Sequence, residues 1–135
     1  MKITESIFIR GNIINTEYGI LPVHAIVWND IQVKGNGNRT LWAKQVEPVK
    51  LTEEWLIKFG FKKKPCGYGS SKYVYGIFEV HNYGGNRFKN IELITIDKSN
   101  DEDEIVNTLL PVDILYVHQL QNLYLAITGE KLKQV

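Results

Sequence analysis

The residue types best suited to hold a ligand are concentrated in a basic segment from Lys58 to Tyr73. Lys62, Lys63 and Lys64 attract phosphate, and the glycines that follow allow backbone amides to approach an anion. Tyr68 and Tyr73 could stack on a base, and Arg87 in the next predicted hairpin could extend this surface. The segment therefore predicts a site for a small anionic ligand such as a nucleotide. Because it lacks the GxxxxGK[ST] spacing of a phosphate-binding loop, a solvated charged loop is the competing interpretation.

His118 is a second candidate, because it lies near the start of the last predicted helix. A helix N-terminus lowers the pKa of a histidine and presents free amides that can hold an anion. A capping or packing role is the competing interpretation. The neighbouring amides of Gln119, Gln121 and Asn122 could read a polar ligand, but we expect them to cover the exposed side of the helix.

Catalytic and metal-binding residues show no recognisable spacing. His24, His81 and His118 lack the spacing of a metal site, and the acidic run 101–104 lacks the alternation and glycine of a calcium loop. Cys66 has lysines nearby that could lower its pKa, but no histidine close in sequence to act as its base. We therefore predict a non-enzymatic protein without a metal or a cofactor.

The elements that must position these residues begin with short strands from Ile7 to Val49. Turn signals such as Gly11-Asn12, Tyr18-Gly19 and Asn29-Asp30 interrupt them at the spacing of a small barrel. We predict four or five antiparallel strands that form an SH3-like barrel or a strongly twisted sheet. The three tryptophans, Trp28, Trp42 and Trp55, are expected in the core.

A short helix from Thr52 to Phe59 is expected to link this half to the next. Thr52 can cap its first amides, two glutamates follow where the helix dipole favours negative charge, and Gly60 ends it. Leu51, Trp55 and Phe59 recur every four residues, which indicates one apolar stripe.

The second half predicts an antiparallel sheet closed by a C-terminal helix. Residues 73–80 and 88–96 alternate as a long hairpin, and residues 105–110 and 112–116 alternate as a strand that leads into the final helix. Residues 117–128 then carry apolar side chains at helical spacing and end at Gly129. The prediction is an α+β fold with a barrel-like half at 1–50 and an α+β half at 51–135, the two packed together or forming one domain.

Composition restricts the setting of the protein. Sixteen Lys and Arg residues against fifteen Asp and Glu residues give a net charge of +1, so no overall field attracts nucleic acid or a membrane. The single cysteine excludes an internal disulfide, and neither a secretory signal nor a membrane span is recognisable. We predict a soluble protein of the bacterial cytoplasm.

Two segments, Pro48–Phe61 and Tyr116–Gly129, resemble motifs of small uncharacterised Bacteroidetes and prophage proteins, in which they occur in the same order. The first reads PVKLTEEWLIKFGF and the second begins YVHQLQNLY. The resemblance brings no assigned activity and no catalytic residues. It implies a phage or mobile-element protein in a bacterial host cell.

Together these observations predict a binding protein of phage or mobile-element type. It would sequester a small anionic ligand, such as a nucleotide signal, in host–phage conflict. Three alternatives stay open. The first is an adaptor that binds a host or phage protein, with a homo-oligomer also open. The second is a nucleic-acid-binding module, which the balanced charge disfavours, and the third is an enzyme that depends on His118 or Cys66.

Overall fold

The structure is a computed structural model that describes residues 8–67, 69–85, 87–97 and 103–135. Within these ranges the chain forms two antiparallel sheets of five strands each and two α-helices, which confirms the predicted α+β class. The chain divides into two compact units. The first unit comprises Met1–Lys50 and Tyr116–Leu132, and the second comprises Leu51–Leu115 and Lys133–Val135.

The first unit contains an open sheet. Its strands are β1 (Ile13–Thr16), β2 (Gly19–Val27), β3 (Asp30–Lys34), β4 (Thr40–Ala43) and β5 (Val46–Pro48), in the order β4-β3-β2-β1-β5. Ile14, Val23 and Val33 are buried and pack with Phe8 in one apolar cluster. Among the described strands β4 and β5 do not pair, so the predicted closure into an SH3-like barrel is not found.

The C-terminal helix α2 (Val117–Thr128) belongs to this first unit. The prediction that it closes the second sheet, within a half at 51–135, is therefore wrong. Its predicted apolar stripe is real, because Val117 and Leu120 are fully buried. The helix ends at Gly129, whose φ of 76° is a left-handed conformation that favours glycine.

Side-chain amides fasten α2 to the start of β1. Gln121 accepts a hydrogen bond from the Ile13 N–H (2.9 Å) and donates one to the Gly11 carbonyl (3.1 Å). Asn122 accepts one from the Asn12 side chain at 2.8 Å. These two amides were expected to cover the exposed side of the helix. They instead satisfy partners more than a hundred residues away, which a local pattern does not reveal.

The second unit packs a short helix against one face of its sheet. The helix is α1 (Glu53–Lys58), and the strands are β6 (Lys62–Gly67), β7 (Ser70–Tyr75), β8 (Phe78–Asn82), β9 (Phe88–Asp97) and β10 (Glu104–Ile114), in the order β10-β9-β8-β7-β6. Tyr73, Val80 and Ile91 share a face by register and are buried, as are Leu56 and Phe59. The Thr52 carbonyl, rather than the predicted hydroxyl, accepts the first hydrogen bonds of α1.

Two local predictions for the second unit differ from the structure. The predicted loop after Gly60 contains the strand β6, and residues 73–80 are divided by a turn at Gly76-Ile77, where Gly76 has a φ of 57°. The strand predicted from residue 105 toward the final helix is present as β10, which bulges between Leu110 and Asp113. Of the predicted acidic loop, Asp101 and Glu102 lie outside the described residues.

Two of the three tryptophans predicted in the core are exposed. Trp28 is 93% exposed and occupies the turn between β2 and β3 with a φ of 58°, and Trp42 is 49% exposed on β4. Trp55 is half-buried on α1 beside Phe59. Neither described helix has the length and apolarity needed to cross a membrane.

Candidate functional site

The three consecutive lysines do not form one cluster, because they lie on a strand rather than in a loop. Side chains alternate along β6, so Lys62 and Lys64 lie on one face and Lys63 on the other. The Nζ atom of Lys63 lies 2.8 Å from Oε1 of Glu53 in α1. This hydrogen-bonded ion pair raises the pKa of Lys63 and lowers the pKa of Glu53. Lys63 is therefore engaged within the second unit.

Tyr73 is a core residue, which corrects its predicted role as a stacking platform. Its side chain is 1% exposed and its ring lies 5.9 Å from that of Phe88. Its hydroxyl donates a hydrogen bond to Oε1 of Glu53 at 3.1 Å, and burial raises the pKa of that hydroxyl. A ligand at the surface has no access to the ring.

Arg87 keeps an exposed position in the turn between β8 and β9. Its N–H donates to the Gly84 carbonyl, and its own carbonyl accepts from Tyr83. The register places this turn at the same end of the sheet as the turn between β6 and β7. Tyr68, the predicted stacking residue of that second turn, lies outside the described residues.

His118 is buried in the first unit, whereas the lysines belong to the second. Its ring lies 4.6 Å from Phe8 and 5.8 Å from Tyr116. Burial lowers its pKa to about 4, which is the predicted direction but not the predicted cause. Both ring nitrogens are buried without a hydrogen-bond partner among the described residues. The packing interpretation, rather than a surface anion site, agrees with this position.

Strand β6 forms one edge of the second sheet, and we call residues Lys62–Gly67 the lysine edge. All six residues are exposed, and the sequence is Lys-Lys-Lys-Pro-Cys-Gly. An edge strand presents unpaired backbone groups to other chains, and proteins protect such edges with lysine and proline. The basic segment singled out in the sequence therefore has a structural explanation that requires no ligand.

The opposite edge of the same sheet is formed by β10 and has the contrary composition. We call its residues Ile105–Leu110 the apolar edge. Ile105 is 75% exposed and Leu109 is 54% exposed, although both are large apolar side chains. Within the part of the chain that the structure describes, β10 pairs with β9 alone, so its outer backbone groups face away from the sheet.

The apolar edge continues onto the neighbouring strand. The register pairs Ile105 with Ile96 and Asn107 with Ile94, so these side chains share one face. Ile96 is itself exposed. This part of the sheet therefore offers main-chain groups that no described strand pairs with, and an apolar strip beside them.

The apolar edge was not predicted as a site from the sequence, although the sequence contains a run of residues typical of a strand there. Eight uncharged residues separate Glu104 from Asp113, and the first six of them are rich in isoleucine, valine, threonine and leucine. Such a run indicates a strand, but the sequence does not tell whether the strand is central or at an edge. That distinction needs the strand order.

Among the residues that the structure describes, one group of side chains has the composition and spacing to hold a metal ion. Glu79, His81 and Glu92 each offer one ligand atom, and these atoms lie within 4.8 Å of one another. They lie on β8 and β9, on the face of the second sheet opposite Tyr73, and we call them the carboxylate–histidine cluster.

No protein-family model matches the chain, and comparisons with curated proteins and with solved structures return no significant match.

Proposed function

We propose that the protein is a non-enzymatic binding module that recognises an extended polypeptide segment by pairing it with the apolar edge of β10. The observation that carries this proposal is a largely exposed, uncharged stretch, Ile105–Leu110, on the edge strand β10, in a sheet whose other edge is protected by lysine and proline. Among the functions predicted from the sequence, this corresponds to the protein-interaction adaptor.

The backbone of the apolar edge supplies the generic part of the interaction. Its six residues span roughly 20 Å, and alternate residues direct their N–H and C=O groups outward. A partner strand would satisfy these groups, each hydrogen bond contributing about 0.5–1.5 kcal/mol net. Main-chain pairing of this kind tolerates many sequences and fixes only the extended conformation.

The exposed side chains supply the selective part. Fully burying an isoleucine or leucine side chain contributes about 1.5–3 kcal/mol, and Ile96, Ile105 and Leu109 are all more than half exposed. Because these terms are comparable with the main-chain contribution, a partner gains affinity from apolar residues opposite this strip. A purely polar segment would lose that part of the favourable free energy.

Charge at the ends of the strand defines the partner further. Glu104 follows three other acidic residues in sequence, and Asp113 lies beyond the uncharged run. Antiparallel pairing of two copies centred between Thr108 and Leu109 would place Glu104 opposite Asp113 at both ends, which is repulsive. A foreign segment with an apolar centre and basic ends meets no such repulsion and complements both acidic ends, so we take it as the occupant and leave pairing of two copies as an outcome of the test.

The anion-binding hypothesis has less support from the geometry. Lys63 is paired with Glu53, Tyr73 is in the core, and His118 is buried in the other unit. Lys62, Lys64 and Arg87 are left as its exposed contacts. The phage or mobile-element setting implied by the resemblance stays a prediction.

Fluorescence polarisation with synthetic peptides tests the proposal. The first peptide alternates valine and threonine between lysine ends, and the second has glutamate ends. We expect binding of the lysine-ended peptide and binding of the glutamate-ended peptide that is weaker by about tenfold or more, because two like-charge contacts replace two attractive ones. Equal binding of both peptides, or of neither, would contradict the proposal.

A matched pair of variants locates the binding surface. Leu109→Lys places a charge on the apolar edge, whereas Ile57→Lys places one at a comparably exposed apolar position on α1. We expect the first to weaken peptide binding by about tenfold or more and the second to leave it unchanged. Sedimentation of the free protein completes the test. A dimer that Leu109→Lys dissociates, without peptide binding, would show that the occupant is a second copy and overturn the proposal.

A further inference from the structure

Strand alternation and register bring the three residues of the carboxylate–histidine cluster together on the adjacent strands β8 and β9. Glu79 and His81 are two residues apart on β8, which directs both side chains to one face. Glu79 lies directly opposite Glu92 on β9, and the register shifts by one residue before His81. Because of this bulge, His81 pairs with Lys89 of β9 instead of the next residue in register, and it lies beside the two facing carboxylates.

Charge in this cluster is incompletely balanced. Facing carboxylates on adjacent strands repel, and the side chain of Glu79 is only 10% exposed, which reduces solvent screening. Lys72 on β7 compensates one negative charge, with its Nζ atom 3.0 Å from Oε1 of Glu79. The other carboxylate oxygen of Glu79 remains able to bind a cation, and so does Glu92.

His81 adds a nitrogen ligand that the protein itself does not satisfy. Its Nε2 atom is buried and has no hydrogen-bond partner among the residues described. The nearest carboxylate oxygen, Oε2 of Glu92, lies 3.7 Å away, which is beyond hydrogen-bond distance. A buried nitrogen beside two carboxylates is the donor set of a divalent transition-metal ion.

We infer that Glu79, His81 and Glu92 form a binding site for a divalent transition-metal ion, with Zn²⁺ as the best representative. Zinc binds imidazole nitrogen at about 2.0–2.1 Å and carboxylate oxygen at about 2.0–2.2 Å, so the three ligand atoms must approach by rotation of the glutamate side chains. The imidazole favours zinc over magnesium or calcium, which take oxygen ligands. Three protein ligands leave one position for water or a further ligand.

Lys72 competes with the ion for Glu79, which gives the site a distinctive response to mutation. Removing this lysine frees both carboxylate oxygens and leaves two negative charges facing each other. Lys72→Met should therefore increase the affinity for Zn²⁺. A purely structural ion-pair cluster would lose stability in the same variant without gaining any affinity for the metal.

Calorimetric titration of the tag-free full chain with zinc chloride tests the inference. We expect one ion per chain, an affinity reduced by about tenfold or more in His81→Ala and Glu92→Gln, and tighter binding in Lys72→Met. His24→Ala is the matched control for removing a histidine from a strand, and its affinity should equal that of the parent. Circular dichroism verifies that each variant is folded.

Two results would overturn the site. Zinc binding by His81→Ala that equals binding by the parent excludes the cluster as the ligand set. Loss of binding in Cys66→Ser, with retention in His81→Ala, would assign the metal to the exposed thiol instead. The Nε2 resonance of His81 gives a direct readout, because it must shift when the ion binds and stay unchanged if the ion binds elsewhere.

Discussion

The lysine edge and the apolar edge bound the same sheet, and they present opposite chemistry to a neighbouring chain. Three lysines and a proline follow one another on β6, whereas six residues without charge follow one another on the exposed part of β10. Both strands lie at the limits of the strand order, so both have one side without a partner among the described strands. Lysine and proline therefore discourage pairing along β6, whereas on β10 Pro111 and the bulge do so only beyond Leu110.

This difference separates residues that protect the fold from residues that are free to bind. The lysines were predicted to bind an anionic ligand because a cluster of positive charge is a common feature of such sites. On an edge strand charge is also a barrier to association. On β10, Pro111 and the bulge between Leu110 and Asp113 protect one end of the strand, whereas Ile105–Leu110 carry neither a charge nor a proline. The exposed side chains of this stretch add little to the core.

The largest loss of stability should come from truncating Tyr73, a buried residue of β7 that lies beside the lysine edge. Tyr73 lies opposite Lys63 in the strand register and is almost fully buried, so Tyr73→Ala should reduce the free energy of unfolding by about 3–5 kcal/mol. Urea denaturation followed by circular dichroism measures this loss. Tyr83→Ala, at an exposed tyrosine of the same unit, should change stability by less than about 0.5 kcal/mol. Equal losses would mean that the second sheet is not packed as described.

Lowering the pH should reduce the free energy of unfolding in two separate ranges, one set by the buried imidazole of His118 and one by the Glu53–Lys63 ion pair. The folded-state pKa of His118 is about 4 against an ordinary value of 6.5, so its contribution is fully present above pH 6.5 and is lost as the pH falls toward 4. The loss amounts to about 3 kcal/mol. The pKa of Glu53 is lowered from 4.5, so stability from its pairing is lost only below that value.

Urea denaturation at a series of pH values measures these two windows separately. His118→Phe should remove the decline between pH 6.5 and 4.5 while keeping an aromatic ring against Phe8. A decline that persists in His118→Phe would show that another group titrates there.

Exchanging the chemistry of the two edges tests the comparison directly. The triple variant Lys62→Val, Lys64→Val and Pro65→Thr removes the protection of β6, so it should self-associate about tenfold more strongly than the parent. Analytical ultracentrifugation over a concentration series measures this change. The double variant Ile105→Lys and Leu109→Lys adds protection to β10 and should stay at the mass of a single chain. If the triple variant also stays at that mass at every concentration, the lysines are not edge protection.

The sequence predicted element types better than it predicted their neighbours. The helix at 53–58 and the helix at 117–128 follow from apolar spacing and from terminating glycines, which are local signals. The assignment of α2 to the first unit depends on hydrogen bonds from Gln121 and Asn122 to residues around 12, and no local pattern contains that information. The strand β6 was missed because three lysines and a proline have low strand propensity, and pairing with β7 outweighs it.

The candidate sites were predictable only in part, for the same physical reason. Charge and glycine in the segment 58–73 are visible in the sequence, but alternation on β6 places Lys63 on the face opposite Lys62 and Lys64. The carboxylate–histidine cluster joins residues on two strands through register, so the spacing of histidines along the chain does not reveal it. Edge position likewise depends on strand order, which only the fold provides.

The smallest expected effect on stability is the most informative about the apolar edge. Leu109 is more than half exposed, so Leu109→Ala should change the free energy of unfolding by less than about 0.5 kcal/mol, whereas Leu56→Ala at a fully buried position of the same unit should cost about 2–5 kcal/mol. Urea denaturation measures both values, and peptide binding is measured on the same samples. A leucine that is kept for binding weakens the complex when truncated without weakening the fold. A loss of more than about 1 kcal/mol in Leu109→Ala would instead mean that this side chain is covered in the free protein, since exposed positions rarely cost so much.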